Sequence, residues 1–340
     1  MVDPTERSGG RVEGSGMDRR RFLRLGAGAL GALAAPALLQ ACARNGNPSA
    51  TPTPTGDSNV PPQVQALVDQ RMAAGAQGGL EVHRAGEAYL SGIPSYIPFG
   101  LAAGTSVVTG TEATLWMVPD LGDDTPRLGP LAAPYLGFAH PDGPPPVPQG
   151  VNAVELTFPT PGIWYAVAEA TVGGKKLVGG AAYQVFPKEA SRSPYPGQPA
   201  PATATPTVTD PKGINPICTR TPACDMHEVS LPAALGSGKP VLLAIGTPAF
   251  CASKVCGPNI EELLAVKQEF GSRAVFVHAE VYVDDTQETI NARKVTPAMK
   301  DYGLRSEPWL FMIDRNGTLA YRFEGPVTAP TIKTTLAKLV

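Results

Sequence analysis

The chain has 340 residues, with 28 Lys and Arg against 30 Asp and Glu, a formal net charge of −2. That balance supplies neither the basic field that nucleic acid requires nor one that would draw the chain onto acidic lipid, so charge points to neither as a partner. The length suffices for two ordinary domains, each burying its own core.

Residues 1–41 read as a leader and export signal, beginning at Met17 in "MDRRRFLRLG" and continuing as a small-residue apolar run to Leu39. A positive start followed by a short apolar stretch fits export better than a membrane span. Arg19 and Arg20, ahead of Phe22 and Leu23, form a twin-arginine pattern. Leu39-Gln40-Ala41-Cys42 resembles a bacterial lipobox, which implies acylation of Cys42 and a membrane contact through lipid. An uncleaved anchor helix is the other reading of this run. Residues 42–77 follow as a flexible tether, rich in Pro and Thr over "ARNGNPSATPTPTGDSNV".

Residues 78–188 carry about seven short β-type runs separated by Pro and Gly, with alternation clearest in "AVELTF" and "IWYAVAEA". This is the pattern of an immunoglobulin-like β-sandwich, here without an intersheet disulfide because no cysteine falls in the region. Trp116 or Trp164 is the expected core tryptophan, while His83 and His140 are expected at the surface. The sandwich could also carry a partner surface. Residues 189–225 repeat the Pro/Thr composition and read as an interdomain linker.

From residue 226 to 340 the pattern changes to α/β. "SLPAALGSGK" suits a short helix capped by Ser230, and "PVLLAIG" suits a strand buried on both faces. "PNIEELLAVKQEFG" has helical apolar spacing, with Gly257 and Pro258 marking its start. A strand "AVFVHAEVYV", a helix around "PAMKDYG", strands "WLFMID" and "TLAYRFEG", and a final helix from about Thr328 complete the order. Asp314 to Gly317 make the hairpin turn, and Asp284 and Asp285 a solvated loop.

Of five cysteines, Cys42 is assigned to lipid, leaving Cys218, Cys224, Cys251 and Cys256. Outside the cytoplasm such thiols pair. Three connectivities are possible, and proximity favours Cys218 with Cys224 and Cys251 with Cys256. The first pair reads as a structural staple on the linker. A metal site of Cys218, Cys224 and His227 is a minor alternative that lacks an apparent fourth ligand, and no cofactor is assigned.

A buried strand, a cysteine loop in "TPAFCASKVCGPN", a helix and a later "EPWLFMID" together resemble the thioredoxin fold, and more closely the membrane-tethered thiol-disulfide oxidoreductases of the TlpA type. The order of sandwich and redox domain also resembles lipoproteins of actinobacterial type. The resemblance covers residues 226–340 and implies a cis peptide before Pro308, attack by Cys251, resolution by Cys256, and extracytoplasmic protein thiols or disulfides as partners. Three departures stand out: four residues rather than two separate the cysteines, Phe250 replaces the usual tryptophan, and "VLLAIG" lacks a buried carboxylate.

In a helix, residues five apart have Cα atoms about 8.6 Å apart, beyond the ~7 Å limit of a disulfide. An oxidised Cys251–Cys256 pair therefore needs a non-helical loop, or a helix that unwinds. A helix N-terminus lowers a thiol pKa, and Lys254 would add positive charge. The unwinding option is similar to a group of peroxiredoxins, echoed by Thr247-Pro248, with Arg305 as the candidate anion-binding arginine. A copper site of Cys251, Cys256 and His278 is conceivable, but a core histidine fits His278 better. A non-catalytic lipoprotein with inert disulfides is the remaining alternative.

Overall fold

The computed structural model describes residues 60–120, 126–139 and 149–340. Arg19, Arg20, Cys42 and His140, and with them the leader and lipidation expectations, lie outside the described residues.

The first element among the described residues is helix α1 (Pro62–Ala73), within the segment expected to be a tether. Val64 and Leu67, one turn apart, are buried against Trp116, Val118, Val167 and Val178, and this apolar pair anchors the helix. Arg71 reinforces it, bonding Glu169 at 2.9 Å and lying over the Trp116 ring. Strands β1 (Gln77–Gly78), β2 (Leu80–Arg84), β3 (Tyr89–Leu90), β4 (Pro94–Ala103), β5 (Ser106–Val108), β6 (Ala113–Pro119), β7 (Leu128–Ala133), β8 (Tyr135–Gly137), β9 (Gly150–Thr157), β10 (Gly162–Val172) and β11 (Lys175–Phe186) follow.

They form two sheets. One runs β1-β11-β10-β6-β7, with β3 on β11; the other runs β2-β4-β9-β8, with β5 on β4. Gly173 and Gly174, both at positive φ, make the two-residue turn of the β10–β11 hairpin, where the twist demands left-handed residues. Alternate residues from both sheets, including Val82, Phe99 and Val154 with Leu115, Trp164 and Tyr183, enclose one core. Trp164 is the fully buried tryptophan, its indole N–H donating to Thr160 O at 3.0 Å, whereas Trp116 faces α1. His83 differs from expectation. It is buried, because Val82 joins the core on one face of β2 and the opposite face is shielded as well.

The second half contains α2 (Leu231–Leu235), β12 (Val241–Ile245), α3 (Cys256–Phe270), β13 (Val275–Ala279), α4 (Gln287–Asn291), α5 (Pro297–Asp301), β14 (Trp309–Ile313), β15 (Leu319–Glu324) and α6 (Ala329–Leu336). Its sheet runs β13-β12-β14-β15, with β12 parallel to β13 and the other pairs antiparallel. Every residue of β12 is buried. Leu242 and Ala244 face Ile260, Leu263 and Phe270 of α3 and Ile332 of α6, while Val241, Leu243 and Ile245 face Leu231, Met299 and Tyr302. A strand covered by helices on both faces has no polar side, which is why its sequence is a continuous apolar run.

The Pro-rich segment 189–225 is not a free linker but a strap that guards both sheet edges. Gly197 N–H donates to Leu319 O and Leu319 N–H to Gln198 O along β15; at the far edge, His278 N–H on β13 donates to O of Met226, the residue that follows the segment. Unpaired edge groups are thereby satisfied, and proline lowers the entropy lost on ordering the strap. Between the edges, Thr203 Oγ donates to Asp301, Tyr302 OH donates to Pro201 O, and Thr205 Oγ accepts the first N–H of α2. The Ser230 side chain makes no capping bond; Thr205 takes that role. The two halves also share apolar contacts, Tyr96 of β4 meeting Phe323 of β15 edge-on at 5.3 Å.

Candidate functional site

Strand β12 ends at Ile245, and the chain then makes a ten-residue loop into α3. Within it Lys254 has φ 62°, a left-handed conformation that a non-glycine residue adopts only under constraint. Its N–H donates to Cys251 O at 3.2 Å, closing a tight turn. This turn makes the segment between the cysteines non-helical. The helix begins at Cys256, two residues before the expected Pro258, so Gly257 and Pro258 lie inside its first turn. Proline is tolerated there because first-turn amides have no intrahelical acceptor. Lys254 itself is exposed, and its contribution to the loop is this backbone turn.

The turn brings the two cysteines together. Cys256 N–H donates to Cys251 Sγ at 3.4 Å, and Ser253 Oγ lies 3.1 Å from the same sulfur. Cys251 and Cys256 are both buried. Burial pushes the Cys251 thiol up, but hydrogen bonds from the Cys256 thiol, the Ser253 hydroxyl and the Cys256 amide outweigh it and bring the pKa down to about 7. Cys256 moves the opposite way. Burial, its bond to Cys251 and the charge on Cys251 hold its thiol well above the ordinary range, against a bond from the Thr247 amide. One reactive thiolate and one reserved thiol result.

Two neighbours went unassigned in the sequence. Ser253 sits between the cysteines, yet serine carries no distinctive signal. Glu307 precedes the cis Glu307–Pro308 peptide and bears electrostatically on both sulfurs. Burial raises its carboxyl pKa, opposed by Arg293 at 4.0 Å. Arg305 is exposed, its backbone carbonyl accepting from Arg293.

A second cluster lies where the strap meets β13. Cys218, Cys224, His227 and His278 are all buried, and one ligand atom from each falls within 4.8 Å of the others. The sulfurs are 3.7 Å apart and belong to free thiols. His278 Nδ1 lies 3.8 Å from Cys218 Sγ, 3.4 Å from Cys224 Sγ and 3.1 Å from His227 Nε2. His278 thus faces this pair and not Cys251 and Cys256, and it is the fourth donor that the sequence did not reveal. The bond from Cys224, helped by both imidazoles, holds the Cys218 thiol well below its ordinary range against burial. The cluster also touches the first loop. His278 Nε2 lies 3.1 Å from Gly246 O, and Thr219 Oγ accepts from Ala249 N–H while donating to Glu280.

Among the described residues no helix is long and apolar enough to cross a membrane. No family model matches the chain, and no curated protein matches it. Among solved structures, a thioredoxin-family thiol:disulfide interchange protein from Chlorobium tepidum is similar at 17% identity, over 43% of this chain and 97% of its own, with a TM-score of 0.29. An exposed lipoprotein thioredoxin from Streptococcus pneumoniae is 22% identical over 31% of this chain and 90% of its own, with a TM-score of 0.26. StoA from Bacillus subtilis is 18% identical over 40% of this chain and 98% of its own, with a TM-score of 0.27.

Proposed function

We propose that the chain is a thiol-disulfide oxidoreductase acting on protein substrates through Cys251 and Cys256. The observation that carries this reading is the Cys256 N–H donated to Cys251 Sγ across a left-handed turn, beside Ser253. It stabilises a thiolate where the next sulfur in the chain is near enough to resolve a mixed disulfide.

In the reducing direction, the Cys251 thiolate attacks one sulfur of a substrate disulfide. The substrate S–S bond breaks, a Cys251–substrate disulfide forms, and the departing substrate thiolate takes a proton. Cys256 then gives up its proton to solvent, replacing the one the departing thiolate took, and attacks the Cys251 sulfur. The second substrate thiolate leaves, and a Cys251–Cys256 disulfide remains. Two electrons have passed to the substrate, and a dithiol donor restores the pair. The reverse sequence oxidises a substrate dithiol.

The finer reading is of an exported protein, directed by Arg19 and Arg20 and held to the membrane through lipid on Cys42, so that its substrates are extracytoplasmic. The paired sheets of residues 78–188 serve in this reading as an immunoglobulin-like module beside the redox domain. The test is insulin reduction by the full chain with a dithiol donor. Turnover should vanish in Cys251→Ser, and Cys256→Ser should accumulate a mixed disulfide on Cys251. Undiminished turnover in Cys251→Ser, or peroxide consumption without disulfide reduction, would overturn the proposal.

A further inference from the structure

We infer that Cys218, Cys224, His227 and His278 form a closed tetrahedral site for a zinc-class divalent ion, which clamps the strap to β13 beneath the redox loop. The geometry is that of the coordination polyhedron. With bonds of about 2.3 Å to sulfur and about 2.0–2.1 Å to nitrogen, a tetrahedron has edges of roughly 3.8 Å between sulfurs, 3.5 Å between sulfur and nitrogen and 3.4 Å between nitrogens. Four of the six corresponding separations here are 3.7 Å between the sulfurs, 3.8 and 3.4 Å from His278 Nδ1 to the sulfurs, and 3.1 Å between the ring nitrogens; the two from His227 to the sulfurs lie within 4.8 Å.

Proton placement on His278 agrees. Gly246 O can only accept, so His278 Nε2 at 3.1 Å carries a hydrogen, and Nδ1 is the ring nitrogen that faces the other three donors. A ligand histidine whose second nitrogen donates to a backbone carbonyl is the usual outer-shell arrangement of a metal site. A simple disulfide between Cys218 and Cys224 would need the sulfurs to close from 3.7 Å to about 2.05 Å. It would also need neither imidazole, yet both are essentially fully buried, His227 at 1% and His278 at 0% exposure.

Charge identifies the class of ion. Two thiolates and two neutral imidazoles balance one divalent cation, so the buried site is neutral when filled. Binding displaces to solvent whatever protons the four donor atoms carry and changes no oxidation state. Four protein donors leave no open position, which is the pattern of a structural site. Three of the donors come from the strap side and one from β13, so the ion fastens what the sequence presents as a linker. Through His278 Nε2 and Gly246 O, it also fixes the base of the loop that carries Cys251.

The experiment uses the full chain, purified reduced, with Zn2+ and Co2+ as probes. We expect one equivalent of Zn2+ per chain by elemental analysis, and Co2+ giving the d–d and thiolate charge-transfer bands of tetrahedral, sulfur-ligated cobalt. Both should persist in the Cys251→Ser/Cys256→Ser double variant. Cys224→Ser and His227→Ala should each lower Zn2+ affinity by more than about 100-fold, beyond the 10–100-fold that loss of an outer partner costs. A wild-type chain that gives no tetrahedral cobalt spectrum overturns the inference without recourse to any variant. So does a Cys218–Cys224 disulfide found by mass mapping in metal-free folded protein, or a full equivalent of zinc retained by both variants.

Discussion

Replacing Ser253 with alanine tests how the reactive thiolate is made. Ser253 is buried and its hydroxyl lies 3.1 Å from Cys251 Sγ, so Ser253→Ala removes one of the bonds that hold the thiol at about 7 while leaving the Cys256 amide in place. A hydrogen bond to a charged group is worth about 1.5–3 kcal/mol, and one pKa unit corresponds to about 1.4 kcal/mol. The midpoint should therefore rise by about one to two units. At pH 6 the thiolate fraction would fall from about one in ten to between roughly one in a hundred and one in a thousand. The assay is alkylation of the fully reduced chain by iodoacetamide across pH 5–10, with the Cys251 peptide quantified by mass. The variant should react about 10- to 100-fold more slowly at pH 6 and converge with the parent near pH 10. Superimposable profiles would show that the serine contributes nothing and that the Cys256 thiol and amide alone set the midpoint.

Stability of the reduced chain should depend on pH with a defined sign. The folded Cys251 pKa of about 7 lies below the unfolded value, so its contribution of roughly 2 kcal/mol is present above about pH 8.5 and is lost as pH falls through 7. Cys256 is raised in the folded state and so opposes this above about pH 8.5, giving a maximum near there in urea titrations of the reduced chain. Glu307→Gln should move the Cys251 alkylation midpoint down, the opposite direction to Ser253→Ala, because a like charge is removed. Gly325→Ala should cost about 2–5 kcal/mol by urea unfolding, since φ is 81° and a Cβ there would overlap the Ala85 carbonyl oxygen. Gly104→Ala, at positive φ but in open space, should cost only about 1–2 kcal/mol. Glu324 accepts from the amides of Glu87 and Ala88 at 2.7 Å each and from Ser306 Oγ, so Glu324→Ala should destabilise by about 2–4 kcal/mol and expose residues 86–88 to protease.

What could be read from the sequence follows from how local each signal is. The run Val241–Ile245 declares itself because both of its faces are covered and it needs no polar residue. Helix α3 is legible from its apolar spacing, but its first residue is not. The start is set by the left-handed Lys254, and lysine gives no hint of positive φ as glycine or asparagine would. Helix α1 was hidden by a Pro/Thr-rich approach and by having only Val64 and Leu67 to bury. The strap is hidden for the same reason: proline and threonine mark a solvated linker in composition, yet here prolines limit its freedom and threonine hydroxyls supply its bonds. His278 was hidden because its strand is apolar on both sides, which makes a histidine there read as core. Only the fold reveals that its neighbours across space are Cys218 and Cys224.

The two cysteine pairs are mechanically coupled through the loop that separates them. Its base is held at Gly246 by His278 and at Ala249 by Thr219, which Glu280 fixes in turn. Its far end is the first turn of α3, packed by Ile260 and Leu263 against the sheet. Only residues 250–255 lie between these anchors, and among them Lys254 already occupies a costly conformation. A change in the bonding of Cys251 and Cys256 is therefore absorbed within a few residues and not spread into the helix. The same rigidity keeps the Cys256 amide pointed at Cys251 Sγ in the reduced state, and that bond, with those from the Cys256 thiol and the Ser253 hydroxyl, lets a buried thiol ionise near neutral pH. Loosening the second cluster should act on the first through this loop base.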